Sequence, residues 1–340
     1  MTEMMKTILT ALLCALALPL SAQTSKPVVI AHRGASGYLP EHTIEAKVLA
    51  HAMGADFLEQ DLVLTKDDVP LVIHDIQLET ISDVAQRFPD RKRANGRYYA
   101  LDFTLAEIKQ LHAHERTNPK TGKAVYPNRF PLGWSSFRIP TLEEELQLIQ
   151  GLNKTCHRVA GIYPEIKQPG WHRKQGHDIS RIVVPILRRY GYATKQDPCW
   201  IQCFEVDEVK RLRTELGWEG RLLLLLPGSP KPQQKKETDV WFTAEGLLEL
   251  SKVADGVGPE LSAIVSGDSK AGRKVTDFVK NAHAAKLTVH PYTLRADDLP
   301  KFADSMDDAL EVLFTEARLD GLFTDFSDLA VKWLSAHGMR

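Results

Sequence analysis

Short apolar, β-branched runs alternate with amphipathic helical patterns along most of the chain, and this alternation constrains the fold more than any other feature. Eight runs read as strands: Val28–His32, Asp56–Asp61, Gly161–Lys167, Trp200–Phe204, Arg221–Leu226, Asp255–Glu260, Leu287–Tyr292 and Gly321–Asp325. Between them Ile179, Ile182, Val183, Ile186, Leu187 and Tyr190 recur at helical spacing, as do Val206, Val209, Leu212 and Leu216, and Val275, Phe278, Val279 and Ala282. Eight strands separated by outer helices predict an α/β protein built as a (β/α)8 TIM barrel.

One run breaks the rhythm. Pro70–Asp75 follows Asp61–Thr65 after only Lys66-Asp67-Asp68-Val69, whereas a parallel crossover needs about a dozen residues. The run must fold back as a β-hairpin extension of strand two, and a turn centred on Asp67-Asp68 would pair His74 with Asp61. Residues 76–140 are too long for an ordinary barrel loop. They carry their own Thr104-x-x-Glu107 capping box and read as an inserted subdomain over the barrel mouth. The barrel resumes at a second box, Thr141-x-x-Glu144, which opens a helix bearing Leu142, Leu146 and Ile149. The barrel domain is placed at residues 27–337.

Thr7–Leu20 is an uncharged apolar run behind Lys6 and ends in Ser21-Ala22. It has the parts of a secretory signal peptide over residues 1–22 and falls short of the roughly 20 apolar residues of a membrane span. The expectation is a periplasmic or secreted protein with no stable membrane insertion after cleavage. Cys156, Cys199 and Cys203 then remain, an odd number that rules out a complete disulfide framework. Cys199 and Cys203 lie about 13 Å apart on a strand at ~3.3 Å per residue, too far to bridge each other. At most one of them pairs with Cys156. Basic and acidic residues balance to a net charge of -1 and are mixed along the chain, so no basic face advertises nucleic acid. A small molecule is the expected partner.

Catalytic groups of such barrels collect at the C-terminal ends of the strands. The sequence places His32-Arg33, Glu59, Asp61, Glu165, Lys167, Glu260, His290, Tyr292 and Asp325 there. Glu59 and Asp61 are two apart on a strand and project to one side, and Glu165 adds a third carboxylate from the next barrel strand. Three converging carboxylates repel unless protonated or bound to a cation. An all-oxygen set selects a hard ion, with Ca2+ expected and Mg2+ the alternative. His32 and His74 flank this group and suit the base and acid of phosphodiester hydrolysis near neutral pH. His32 is read as base and His74 as acid. Arg33 can hold two non-bridging phosphate oxygens in its planar fork. Lys167 is either a further phosphate contact or a structural partner of Glu165. Phe204, His290 and Tyr292 are either a wall for the organic part of the substrate or ordinary barrel packing.

The segments His32-Arg33-Gly34-Ala35, Leu58-Glu59-Gln60-Asp61, Thr65-Lys66-Asp67, His74-Asp75, Pro164-Glu165-Ile166-Lys167 and Thr324-Asp325 resemble, in order, the motifs of the glycerophosphodiester phosphodiesterase family. The strings AHRGASGYLPEHT, LEQDLVLTKDD, RFPDR, GRYYALDFTL, YPEIK and GLFTDF resemble its bacterial periplasmic type. The resemblance runs from about Val28 to Leu334. It implies a TIM barrel with an insertion after the second strand, a calcium ion, and hydrolysis of glycerophosphodiesters to sn-glycerol 3-phosphate and an alcohol. It also implies His32 and His74 as the acid/base pair, Glu59, Asp61 and Glu165 as metal ligands, and Arg33 and Lys167 as phosphate contacts. Three rival readings are weaker. A phospholipase of the sphingomyelinase D or phosphoinositide type lacks an identifiable membrane-anchoring loop. A non-enzymatic surface-binding protein needs none of these acid, base and metal groups, and a carboxylate-pair glycosidase leaves His32-Arg33-Gly34 unexplained.

Overall fold

The computed structural model describes residues 26–134, 136–228 and 237–340; the expected signal peptide lies outside the described residues. The strands are β1 (Val28–Ala31), β2 (Phe57–Leu64), β3 (Pro70–Val72), β4 (Gly161–Ile166), β5 (Trp200–Cys203), β6 (Arg221–Leu226), β7 (Gly256–Pro259), β8 (Val265–Ser266), β9 (Lys274–Val275), β10 (Thr288–Val289) and β11 (Gly321–Thr324). Eight of them form a nearly closed parallel barrel in the order β10-β7-β6-β5-β4-β2-β1-β11. At the seam, Pro291 cannot donate to a ladder and β10 stops early. Even so, Phe323 N–H reaches the Pro291 carbonyl at 3.1 Å and Leu294 N–H reaches the Phe323 carbonyl at 2.9 Å.

Period-two alternation sorts the strand residues into two environments. The outward set, including Val29, Leu58, Ile162, Ile201, Leu222, Val257 and Leu322, packs in the main core with the helices. The inward set forms layers. Its lower layer is apolar and aromatic: Ile30, Phe57, Tyr163, Trp200, Leu223, Leu225 and Phe323 cluster together. The same inward parity carries β1 to His32, β2 to Glu59 and Asp61, β4 to Glu165, β5 to Gln202 and Phe204, and β11 to Asp325. The floor of the site is thus a dry plug, and its polar residues stand in the layer above. The plug is tight: a Cβ at Gly161 would come within 2.4 Å of the Phe57 ring. His290 belongs to this plug, since it is 2% exposed and its Nδ1 lies 2.8 Å from the Tyr163 hydroxyl. Of the two readings of His290, packing is the one observed.

The hairpin exists, with a register one residue from that expected. Leu62 pairs with Val72, Val63 with Leu71 and Leu64 with Pro70, and Ile73 N–H meets the Asp61 carbonyl at 2.9 Å. Ile73, not His74, therefore lies opposite Asp61. The cause is the turn: Thr65 N–H bonds to Val69 O at 3.1 Å, leaving a three-residue loop that closes on Asp68 at φ 60°. A three-residue loop with a left-handed last residue is a standard hairpin solution. The strand ends at Val72, and a bend delivers His74 to the mouth.

Residues 76–140 contribute no barrel strand among those described. They gather Ile76, Leu78, Ile81, Val84, Tyr98, Phe103, Ile108, Leu111 and Phe137 around Val63 and Leu71 of the hairpin, a second apolar cluster apart from the barrel core. Both capping boxes form, opening helices Leu105–Ile108 and Leu142–Thr155. Helices Ile179–Arg189 and Val206–Thr214 follow the expected patterns. The helix expected from Val275 begins only at Phe278, because Val275 is drawn into the β8–β9 hairpin. No helix of the described residues is long and apolar enough to cross a membrane. Cys156, Cys199 and Cys203 are all free thiols.

Candidate active site

The turn after β1 starts the site. Arg33 and Gly34 both take left-handed backbone, φ 59° and 85°, an uncommon conformation for a residue with a side chain. A Cβ at Gly34 would also stand 2.9 Å from the Ala46 backbone. This bend turns the Arg33 N–H onto Glu59 Oε2 at 2.6 Å. Glu59 and Asp61 rise from β2, and β4 sets Glu165 in direct register with Asp61.

Of the residues singled out from sequence, His32, Arg33, Glu59, Asp61, His74, Glu165, Phe204, Glu260 and Tyr292 line one cavity of about 370 Å3. Lys167 stands behind the carboxylates. Its Nζ is 2.8 Å from Glu165 Oε1 and 3.7 Å from Asp61 Oδ1, and 5.7 Å from the centre of the Phe204 ring. Phe204 meets Tyr292 edge-on at 5.8 Å, and the Tyr292 hydroxyl donates to the Leu226 carbonyl at 2.8 Å.

Each histidine is held by a carboxylate. His32 Nδ1 lies 2.6 Å from Asp325 Oδ1 and His74 Nδ1 lies 2.6 Å from Asp75 Oδ1. Both aspartates are acceptors, so the hydrogen of each ring sits on Nδ1 and the Nε2 lone pair is left for substrate. Burial, with Arg33 beside it, pulls His32 down to about 4. Burial, then Arg33 and Lys167, does the same to His74. Both rings are therefore neutral at pH 7.

The carboxyls divide unequally. Burial and the adjacent Asp61 hold Glu59 well above the usual range. Burial pushes Glu165 up to about 8, with Asp61 adding to it and Lys167 opposing. Against the cost of burial, Lys167, His74 and His42 keep Asp61 well below the usual range. Burial thus works against ionising Glu59 and Glu165, and a bound hard cation would favour the ionised form of all three. Three buried carboxylates on two adjacent strands call for a cation on grounds of charge.

The residues missed in the sequence are mostly partners of those found. His42 Nε2 lies 2.8 Å from Asp61 Oδ2, and His42, Glu59 and Asp61 bring potential ligand atoms within 4.8 Å of one another. Lys47 Nζ lies 3.3 Å from His42 Nδ1. A lysine can only donate, so the His42 hydrogen sits on Nε2 and points at Asp61. That makes His42 a donor that orients Asp61. Lys47 also bonds to the Glu59 carbonyl and pairs with Glu145 at 3.4 Å, both side chains fully buried. Glu41, Arg116, Arg129 and Arg295 complete the surroundings. No local pattern marks any of these residues except the AHRGASGYLPEHT string, which contains Glu41 and His42.

The comparisons agree with this geometry. The sequence model of the glycerophosphoryl diester phosphodiesterase family matches residues 32–329. The chain is 43% identical over 328 residues to the glycerophosphodiester phosphodiesterase of Haemophilus influenzae, covering 91% of this chain and 90% of that protein. It is 38% identical to the enzyme of that name from Treponema pallidum, covering 91% and 92%. The fold matches an Oleispira antarctica phosphodiesterase solved with its product sn-glycerol-3-phosphate, at a TM-score of 0.60 and 20% identity, over 91% of this chain and 97% of that one. A family match spanning the barrel from His32 onward, together with two relatives of this similarity over nine-tenths of the chain, settles the assignment: the protein belongs to the glycerophosphoryl diester phosphodiesterase family.

Proposed function

We propose that this barrel hydrolyses glycerophosphodiesters to sn-glycerol 3-phosphate and an alcohol, with His32 and His74 as the catalytic proton carriers. The observation that carries the reading is the pair of carboxylate-held histidines on one cavity with Arg33 and three buried carboxylates. The Arg33 guanidinium binds the non-bridging phosphate oxygens, and the Lys167 ammonium, paired with Glu165 behind the cavity wall, adds positive charge to the phosphate site. His32 Nε2 takes the proton of the attacking water or hydroxyl, and His74, neutral in the free site, gains a second proton at Nε2 when the anionic phosphodiester is bound beside it and delivers that proton to the departing alkoxide. Phe204 and Tyr292 wall the organic part of the substrate. Glu59, Asp61 and Glu165 would hold one cation, Ca2+ in preference to Mg2+, which neutralises charge building on the phosphate.

Residues 27–337 act as one catalytic domain with 76–140 as its insertion subdomain. The apolar run Thr7–Leu20 supports export, with residues 1–22 removed and the enzyme working in the periplasm or outside the cell. N-terminal sequencing of protein recovered from the extracytoplasmic fraction tests this, and an intact Met1 there would refute the cleavage. For the activity, purified protein is expected to release sn-glycerol 3-phosphate from glycerophosphocholine, to lose turnover in excess chelator and to regain it with Ca2+. Full turnover in chelator would remove the metal from the reading. Absence of release under all ion conditions would remove the substrate.

A further inference from the structure

We propose that Arg116 and Arg129, both from the segment over the barrel mouth, are positioning residues, each fixing the aspartate that orients one of the two histidines. This inference rests on His32 and His74 being the proton-transfer pair.

Arg116 spreads its guanidinium over two carboxylates. Nε and Nη2 meet Glu41 at 2.9 and 2.6 Å, and Nη1 meets Asp75 Oδ2 at 2.6 Å. Asp75 in turn holds His74, and Glu41 accepts from Arg33 Nη1 at 3.0 Å. One rigid fork therefore sets the proton carrier and the phosphate-binding arginine together. Asp75 lies beyond the end of β3, outside the sheet. Its Oδ2 accepts from Thr80 Oγ1 at 3.0 Å as well as from Arg116, so both of these restraints come from the segment 76–140.

Arg129 makes the matching chain on the other side. Its Nη2 meets Asp325 Oδ2 at 2.8 Å, and Asp325 Oδ1 holds His32. Nε and Nη2 also clasp Asp297 at 2.8 and 2.9 Å, and the side chain is 4% exposed. Here the barrel helps, because Arg295 Nε reaches the same Asp325 oxygen at 2.8 Å. Arg–Asp–His order recurs on both sides. A carboxylate that orients an imidazole must itself be held, and each arginine fork ties it to a second carboxylate, Asp75 to Glu41 and Asp325 to Asp297, where a lysine offers a single charge.

The asymmetry of the two chains defines the test on the intact mature protein with glycerophosphocholine as substrate. Arg116→Gln is expected to lower kcat about 10–100-fold, the range for loss of an outer hydrogen-bond partner, and to raise KM through Arg33. Arg129→Gln, with Arg295 still in place, is expected to lower kcat several-fold and leave KM unchanged. Arg116→Lys keeps charge without the fork; it is expected not to restore kcat, and it serves if the Gln variant fails to fold. Losses are expected to overlap in Arg116→Gln/Asp75→Asn and in Arg129→Gln/Asp325→Asn, and to multiply in the crossed pair Arg116→Gln/Asp325→Asn. Matched pairs that multiply like the crossed pair, or single variants within twofold of wild type, overturn the inference. Those results in an otherwise active enzyme leave the glycerophosphodiesterase reading standing, whereas an inactive wild type strikes the reading itself.

Discussion

Glu115, the residue before Arg116, offers a quantitative test of how the covered mouth treats charge. Its side chain is 4% exposed and Oε2 has no hydrogen-bond partner. Burial, with Glu41 and Asp325 adding to it against the opposing charge of Arg129, raises this carboxyl from 4.5 to about 8. At about 1.4 kcal/mol per tenfold change in an equilibrium, that rise corresponds to roughly 5 kcal/mol as an upper figure. Relaxation and water entry bring the expected effect to about 2–5 kcal/mol. The sign follows from which state holds the proton. The folded chain keeps it up to about pH 8 while the unfolded chain releases it near 4.5, so this residue's contribution is fully present below 4.5 and is lost as pH climbs towards 8. Glu115→Gln cannot ionise and still offers a carbonyl oxygen to the Arg116 N–H. Urea unfolding of wild type and variant at a series of pH values between 5 and 9 is expected to give similar stabilities at pH 5. The variant should then lead increasingly, reaching a constant margin of about 2–5 kcal/mol above pH 8. Other titrating groups are common to both proteins and cancel in the difference. A difference that stays flat across this range would refute the claim that Glu115 is a buried neutral carboxyl.

Two further outcomes follow from the site. Ala in place of His32 or His74 is expected to lower kcat by on the order of 10²–10⁴ with unfolding midpoints unchanged. The His74 loss should shrink on a substrate with a nitrophenol leaving group; equal losses on both substrates would deny His74 the role of acid. Lys47→Met leaves the Glu59 carbonyl, His42 Nδ1 and Glu145 without their cation, and is expected to cost about 3–5 kcal/mol in denaturant unfolding. A cost under about 1 kcal/mol would show that this buried lysine holds nothing in place.

The barrel was legible because strand parity and strand ends are local properties. Glu59 and Asp61 share a face by spacing alone, and the rule that strand C-termini carry chemistry gathered His32, Glu165 and Lys167 around them. The hairpin was legible from length, but its register was not. Loops centred on Asp67 and on Asp67-Asp68 differ by half a residue, and sequence near the turn tolerates either. Packing decides between them: Leu62, Leu64 and Val72 face the barrel core while Val63 and Leu71 face the second cluster. A slip of one residue would exchange those faces.

The partners of the site stayed hidden for a different reason. Lys47 and Glu145 lie in helices where a charged residue is ordinarily read as solvent-facing, and only the packing of the two helices reveals that both are buried. Arg116 and Arg129 lie in irregular structure with no period to betray them. Charge balance supplies the missing signal. Glu41, Glu59, Asp61, Asp75, Glu165 and Asp325 converge on the mouth, and the strand ends identified from sequence offer only Arg33 and Lys167 against them. Burying that many carboxyls demands protons or cations. For Glu59 and Glu165 burial pushes towards the protonated form. Asp75, Asp325 and Glu41 do not keep protons, since each is held below its usual range. Their countercharge must come from outside the strand ends, and it does: Arg116 meets Glu41 and Asp75, while Arg129 and Arg295 meet Asp325. The segment over the mouth is thereby tied to the site by electrostatics as well as by position, because removing its arginines would leave the aspartates behind both histidines short of the positive charge that keeps them ionised.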